Sequence, residues 1–134
     1  MVRREDWPLR LNAWLDSARE RAFKWGAHDC VMAAADAVRM MTGEDPAKAY
    51  RGLYTSKREA VVLLADHGGL EAMVSSVLGA PLPTPKLAQR GDLVLVDSPE
   101  GQALSVVVGA AAVGPGKAGV VFTSMGSWLV AWRV

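Results

Sequence analysis

Three prolines within five residues, at positions 81, 83 and 85, divide this 134-residue chain into two stretches of different character. Proline fixes φ and lacks a backbone N–H, so this segment predicts an extended connection that no helix crosses. Before it, apolar residues recur at helical spacing. After it come short valine-rich runs separated by Gly, Pro, Asp or Ser. Helices followed by consecutive strands predict an α+β domain with an antiparallel sheet.

The helical half, residues 1–80, contains four predicted helices. The first begins with Asp6 as its N-cap and ends at Gly26, with an apolar stripe through Leu11, Trp14, Leu15, Ala18 and Ala22. The second, residues 30–41, is apolar on nearly every side, which is typical of a central helix packed by its neighbours. Its small residues Ala33, Ala34 and Ala37 allow a sheet to lie close.

The third predicted helix begins with a capping-box pattern, Ser56 followed by Glu59 three residues later, and ends at a Gly-Gly pair. The fourth, "LEAMVSSVLG", ends at Gly79. Four strands are predicted in the second half, residues 81–134, at 93–96, 104–108, 120–123 and 128–133. We expect the two halves to form one domain, 1–134, because neither is large enough to be stable alone.

The glycine-rich segment "GAAAVGPGKAG" raises the question of a phosphate-binding loop. That motif needs a glycine at the position of Ala111 and Ser or Thr after Lys117, where Ala118 stands. Pro115 also removes an N–H that would have faced a phosphate. The segment therefore predicts a hairpin loop.

The net charge, the length of the apolar stretches and the spacing of His and Cys argue against several classes of protein. A formal net charge of +1 gives no reason to expect nucleic acid, a membrane surface or an acidic substrate. No stretch approaches the roughly 20 apolar residues of a membrane span, and the N-terminal segment has no apolar signal region, so we expect a soluble, unsecreted chain. The two histidines and one cysteine match no zinc spacing, and we expect no metal and no cofactor.

Cys30, the only cysteine, is the candidate nucleophile. In the first turn of a helix its sulfur would lie near unpaired N–H groups and the positive end of the helix dipole, and both favour the reactive thiolate. The competing interpretation is a small buried residue, because free cysteine is among the most buried residue types. A nucleophilic cysteine also needs a base, and His28, two residues away, is one candidate. We expect Asp29 to cap the helix.

Several motifs together resemble the NlpC/P60-type cysteine peptidases. "KWGAHDCVMAAADAV" resembles their cysteine motif, "RGDLVLV" their Gly-Asp-led strand, and "ALSVVVG" the strand that follows, over roughly residues 23–134. The chain is most similar to short tailed-phage and prophage tail-associated proteins of this fold. Their pattern includes the Trp-Gly-x-x-Asp-Cys turn, "TGEDPAKAYRGLYTS", the Gly-Asp strand and a Trp near the C-terminus.

The resemblance implies a papain-like α+β fold, with helices packed on an antiparallel sheet of about four strands and hydrolysis of peptide bonds in the peptidoglycan stem. It places the family's catalytic histidine at the start of the second strand, where this chain has Ala103. The third polar position falls near Thr123 or Ser124. His28, and less readily His67 at a helix end, would have to replace the missing base.

Two main hypotheses follow from the absence of the family's histidine at position 103. The first is a degenerate, inactive peptidase fold that serves as a tail-tip or tail-assembly protein. It would be assembled in the host cytoplasm and located in the virion tail, with other tail or baseplate proteins and peptidoglycan as its partners. The second is an active peptidase that cleaves peptidoglycan stem peptides during infection, with Cys30 as nucleophile and His28 as a candidate base. A third is a cytoplasmic binding module unrelated to phage.

Overall fold

A computed structural model describes all 134 residues, and it contains four α-helices followed by a five-stranded antiparallel sheet. The α+β order predicted from the sequence is therefore confirmed. The helices are α1 Trp7–Glu20, α2 Cys30–Thr42, α3 Lys57–Asp66 and α4 Leu70–Leu78. The strands are β1 Leu93–Ser98, β2 Gly101–Val107, β3 Ala111–Gly116, β4 Gly119–Ser124 and β5 Trp128–Trp132. Short 3-10 turns occupy Pro85–Leu87 and Met125–Ser127.

Helix α1 is shorter than predicted. It ends at Glu20 because the backbone becomes extended at Arg21, and Gly26 lies instead in the tight turn that precedes α2. Asp6 occupies the predicted N-cap position, and its carbonyl accepts from the N–H of Leu9 at 3.1 Å. Its side chain does not cap the helix, because the carboxylate accepts instead from Arg10 Nε at 2.8 Å.

Helix α2 is the central helix, as predicted. It ends at Gly43, whose left-handed backbone (φ +82°) lets its N–H reach the carbonyl of Arg39, a typical glycine C-cap. The indole N–H of Trp14 donates to the carbonyl of Ala33 at 2.9 Å and fixes α1 against α2. The eight buried residues of α2 are Met32, Ala33, Ala34, Ala35, Ala37, Val38, Met41 and Thr42.

The two short helices begin and end close to where the sequence predicts. Ser56 Oγ accepts from the N–H of Glu59 at 3.2 Å, and the Glu59 carboxylate accepts in return from the N–H of Thr55 at 3.1 Å, so the predicted cap of α3 is confirmed. Helix α4 ends at Gly79. No single helix is long and apolar enough to cross a membrane. Helices α3 and α4 reach the necessary length and apolar composition only when they are counted together, and the chain bends between them.

The strand order in the sheet is β4-β3-β2-β1-β5, and all neighbouring strands are antiparallel. The prediction of a loop in the glycine-rich segment is wrong for residues 111–116, which form β3, and only Lys117 and Ala118 remain as the turn. Pro115 is tolerated because β3 pairs with β2 only through Ala112 and Val113, so the missing N–H interrupts no hydrogen bond to β2.

The sheet is strongly curled. In a flat five-stranded sheet, the two edge strands would lie about 19 Å apart. Here residues 125–127 alone connect β4 to β5, a distance that cannot exceed roughly 14 Å. The indole N–H of Trp128 accordingly donates to the carbonyl of Thr123 at 3.3 Å, which joins the ends of the two edge strands.

Two apolar clusters lie on the two faces of this curled sheet. On one face, which we call the helix face, α1, α2 and α4 pack on Leu93, Leu95, Leu104, Val106, Val113 and Trp132. The opposite face carries Val94, Val96, Val107, Ala112, Trp128 and Ala131, with Ala88 of the proline-rich connection packed on them. Successive residues of each strand alternate between these faces.

Candidate functional site

The turn before α2 is organised by the carboxylate of Asp29, which is buried and fully hydrogen-bonded. One oxygen accepts from the N–H of Met32 at 2.9 Å, which confirms the predicted N-cap. The other accepts from the N–H of Gly26 at 2.8 Å and from the hydroxyl of Tyr54 at 2.6 Å. Gly26 has φ +80°, and a Cβ there would overlap the carbonyl oxygen of Tyr54, so only glycine fits. This turn places Cys30 at the first position of α2.

The thiol of Cys30 is partly buried against the helix face, and the backbone N–H of Leu104 on β2 donates toward its sulfur. Burial raises the pKa of the Cys30 thiol to about 11, an effect that the neighbouring Asp29 carboxylate reinforces. Hydrogen bonds from Leu104 and Val31 act in the opposite direction but are outweighed. The sequence-based expectation that the helix end would favour the thiolate is therefore wrong, because desolvation dominates.

Cys30 lies at a cleft formed where the sheet divides into two hairpins. Strand β2 pairs with β1 over 101–106, but with β3 only at Val106–Val113 and Val107–Ala112. Beyond those two pairs, the β1–β2 and β3–β4 hairpins separate and leave a cleft of about 540 Å³. Phe23 and Trp25 contribute to its wall, and their rings meet edge to face with centroids 4.9 Å apart.

The alternation of β2 decides which residues can face the thiol. Leu104 packs on the helix face with α2, and Gln102, two residues earlier, shares that face. Ala103 lines the cleft, but its side chain packs on the opposite face beside Val96. The prediction that Ala103 occupies the position opposite Cys30 is therefore wrong by one residue, and Gln102 is the cleft residue on the correct side.

Neither histidine lines the cleft. His28, the candidate base, is buried with 2% of its surface exposed, and neither ring nitrogen has a hydrogen-bond partner. Its backbone forms an isolated bridge with Lys24, which closes the turn before α2. Burial and the positive charge of Arg21 lower the pKa of its imidazole, although Asp36 and Asp29 act in the opposite direction.

The remaining predicted polar residues are not arranged as a catalytic group. His67 is exposed at the end of α3, where its Nδ1 lies 2.9 Å from the carbonyl of Leu63. The third polar position of the expected site, near Thr123 or Ser124, lies on β4, because the unpredicted strand β3 comes between β2 and these residues. Thr123 does line the cleft, and its hydroxyl donates to the carbonyl of Ala112 at 3.5 Å.

A family model described as a domain of unknown function, DUF6950, matches residues 2–134. The chain belongs to this family. No curated protein matches it.

The Gly-Asp pair that begins β1 has a structural role in this DUF6950 domain. Asp92 is fully buried, and one of its oxygens accepts from Arg3 Nη2 at 2.9 Å and from the N–H of Val134 at 3.0 Å. The other oxygen accepts from the N–H of Gln89 at 2.8 Å and lies 3.2 Å from Arg133 Nε. Sequence reasoning missed this cluster because its members lie up to 131 residues apart and follow no spacing rule.

The DUF6950 cleft holds one thiol and no imidazole. Proton removal from Cys30 needs an acceptor within about 3 Å or one water away, and the cleft carries no imidazole. Its ionisable side chains are Asp97, Glu100 and Lys117, of which Lys117 and Glu100 form an ion pair at 2.6 Å. No group of three or more His, Cys, Asp or Glu side chains is placed to hold a metal ion.

Proposed function

We propose that this chain is a structural protein of a phage or prophage tail, built on a papain-like NlpC/P60-type fold that has lost its catalytic histidine. The observation that carries the proposal is a cysteine at the start of the central helix, in a cleft that neither histidine lines. The sequence resemblance supports the tail assignment. Other tail or baseplate proteins are its proposed partners, the virion tail its location and the host cytoplasm its place of assembly.

The papain-like assignment is supported by how the elements pack. A helix that begins at the cysteine lies on an antiparallel sheet, and the cysteine sulfur meets the backbone of the second strand. That is the arrangement that the resemblance implies. The loss of activity is supported by the thiol itself, since a pKa of about 11 leaves roughly one molecule in ten thousand as thiolate at pH 7.

A peptidoglycan assay tests the inactive assignment. We expect purified protein to release no stem peptides, whether it carries Cys30 or the Cys30→Ser substitution. Thiol-dependent release by the unmodified protein that Cys30→Ser abolishes would overturn the proposal. Gln102→His and Ala103→His form a matched pair, because the first places an imidazole on the side of Cys30 and the second on the opposite face. Hydrolysis gained by Gln102→His alone would support a lost papain-like site.

The tail assignment needs a separate test. Particles induced from the strain of origin, purified and probed with an antibody to this chain, are expected to contain it in a fixed ratio to the major tail protein. Its absence from complete and incomplete tails would overturn the tail role without affecting the conclusion about catalysis.

An active cysteine peptidase remains the second candidate. The observation that favours it is the N–H of Leu104 directed at the Cys30 sulfur, since such a donor stabilises a thiolate. A cleft of about 540 Å³ is also large enough for a short peptide segment. In this case the base would have to be His28 or a group other than an imidazole of the cleft.

A further inference from the structure

The two edges of the curled sheet differ in how they are covered. The β5 edge is covered by the proline-rich connection. The N–H of Leu82 donates to the carbonyl of Ala131 at 2.8 Å, and Arg133 Nη2 reaches the carbonyl of Leu87 at 3.1 Å. The β4 edge has no such cover apart from its last residues, where Trp128 donates to Thr123. One edge is therefore hydrogen-bonded to another segment of the chain, whereas residues 119–122 of the other edge form hydrogen bonds only within the β3–β4 pair.

Strand β4 also lacks the features that usually prevent an open edge from pairing with another chain. Such edges are normally short, charged, interrupted by proline or twisted by a bulge. No charged residue occurs between Lys117 and Arg133, and β4 contains no proline. Its six pairs with β3 run from Ala111–Ser124 to Gly116–Gly119 without a shift in register.

The exposed side chains of β4 are apolar on both faces of the sheet. Val121 pairs with Gly114 and is 52% exposed, while Phe122 pairs with Val113 on the helix face and is 50% exposed. Met125, directly after the strand, is 44% exposed. A strand with unpaired backbone groups and apolar side chains on both sides is suited to continue into another uncharged strand.

We propose that β4 is an interface at which two copies of this chain pair edge to edge, antiparallel, across a twofold axis. A strand that pairs with this uncharged edge must itself be uncharged. Strand β4 of a second copy meets this requirement, and its pairing with β4 of the first copy brings no like charges together. With the axis perpendicular to the sheet and placed at Phe122, the helix faces of both copies lie on the same side, Phe122 pairs with its own copy, and Val121 pairs with Thr123 of the second copy. The proposal is independent of the tail role and of catalysis.

Sedimentation velocity over a concentration series tests the interface. We expect a concentration-dependent dimer for the unmodified chain. Val121→Lys and Phe122→Lys should each weaken the dimer by about tenfold or more, because the symmetry places every lysine in the interface twice. Leu53→Lys is the matched control, since Leu53 is 58% exposed and lies outside the sheet, and it should leave the dimer unchanged.

A second measurement separates edge pairing from non-specific association. On a Cys30→Ser background, Phe122→Cys should form a disulfide-linked dimer under mild oxidation, because paired strands bring Cα atoms within about 5.5 Å. Leu53→Cys on the same background should not. A monomer up to about 0.5 mM would overturn the proposal. So would a dimer that survives both β4 lysine substitutions while circular dichroism shows every variant to be folded.

Discussion

At the scale of single residues, His28 is the most unusual group in the molecule. Buried polar side chains are almost always hydrogen-bonded, and an unpaired one costs about 1–3 kcal/mol. His28 has 2% of its surface exposed, and neither ring nitrogen has a partner. Its neutral form is tolerated better than its cation, because burial and Arg21 both oppose a positive charge there. His28 is thus a source of instability in the folded chain.

This environment predicts an acid-dependent loss of stability. The folded-state pKa of His28 is lowered below the ordinary value of 6.5, so the fold favours the neutral imidazole. That contribution is complete above about pH 6.5 and is lost as the pH falls through the folded-state pKa. His28→Leu should therefore unfold with a smaller pH dependence below 6.5 and be more stable by about 1 kcal/mol at pH 7. Urea titrations at several pH values measure both effects.

His67→Gln is the control for this experiment. His67 is the chain's other histidine and is exposed at the end of α3, so an effect that His67→Gln shares with His28→Leu does not arise from the burial of His28. If His28→Leu loses stability at neutral pH and keeps the acid sensitivity of the unmodified chain, the account of His28 is wrong.

The raised pKa of the Cys30 thiol predicts an alkylation rate that continues to rise in strong alkali. With a thiol pKa of about 11, the rate with iodoacetamide should increase about tenfold per pH unit until that pH is approached. Because the chain has one cysteine, the same protein unfolded in urea is its own control, and its rate should level off near pH 9. A folded-state plateau at or below pH 8 would contradict the buried, protonated thiol.

At the scale of elements, α2 is held close to the sheet by its alanines. Ala37 has no exposed surface, whereas Ala34 borders a small apolar cavity of about 40 Å³ between α2, α4 and residues 46–50. Ala37→Leu should therefore overpack this contact and reduce the free energy of unfolding by about 1–3 kcal/mol. Ala34→Leu should cost less, because part of the added side chain enters the cavity. Denaturant midpoints compare the two, and equal losses would contradict this difference.

The elements also show how far the sequence predicts this fold. Helix α2 could be predicted because its apolar pattern, Asp29 cap and Gly43 stop are all local. Strand β3 could not, because its glycines and Pro115 are typical of a loop. It becomes a strand through six pairs with β4, and this pairing outweighs the weak strand preference of those residues.

Some features of the candidate site could likewise be predicted from the sequence, and others could not. The position of Cys30 at a helix start and the capping role of Asp29 follow from local pattern. The acidity of the thiol does not, because it depends on how β2, more than 70 residues later in the chain, covers the sulfur. The face occupied by Ala103 was likewise misplaced, since a shift of one residue along a strand moves a side chain to the other face.

At the scale of the whole molecule, Asp92 joins three distant parts of the chain. It binds Arg3 before α1, Gln89 before β1, and Arg133 and Val134 after β5. Burial lowers the pKa of the Arg3 guanidinium, and the attraction of Asp92 offsets this in part. The carboxylate therefore compensates for cationic and backbone donors that are largely removed from water.

Removing that carboxylate should be strongly destabilising. Asp92→Ala leaves the partly buried Arg3 and the N–H groups of Gln89 and Val134 without their acceptor, and we expect a loss of about 3 kcal/mol or more in the free energy of unfolding. Asp97→Ala, at an exposed position on β1, is the matched control and should change stability by less than about 0.5 kcal/mol. Chemical denaturation measures both, and similar values would contradict the role given to Asp92.

The strand order has a consequence for the sequence of events in folding. The β1–β2 and β3–β4 hairpins each join neighbours through a two-residue turn, so they can form within microseconds of collapse. Strand β5 must instead find β1 across 35 or so residues, the largest loop closed within the sheet. Trp128 and Trp132 lie on β5 and are buried only by that last step. Because the chain has five tryptophans, the unmodified chain is compared with Trp128→Phe. The fluorescence change that this substitution removes should belong to the slowest kinetic phase, after most of the helical circular dichroism has been regained.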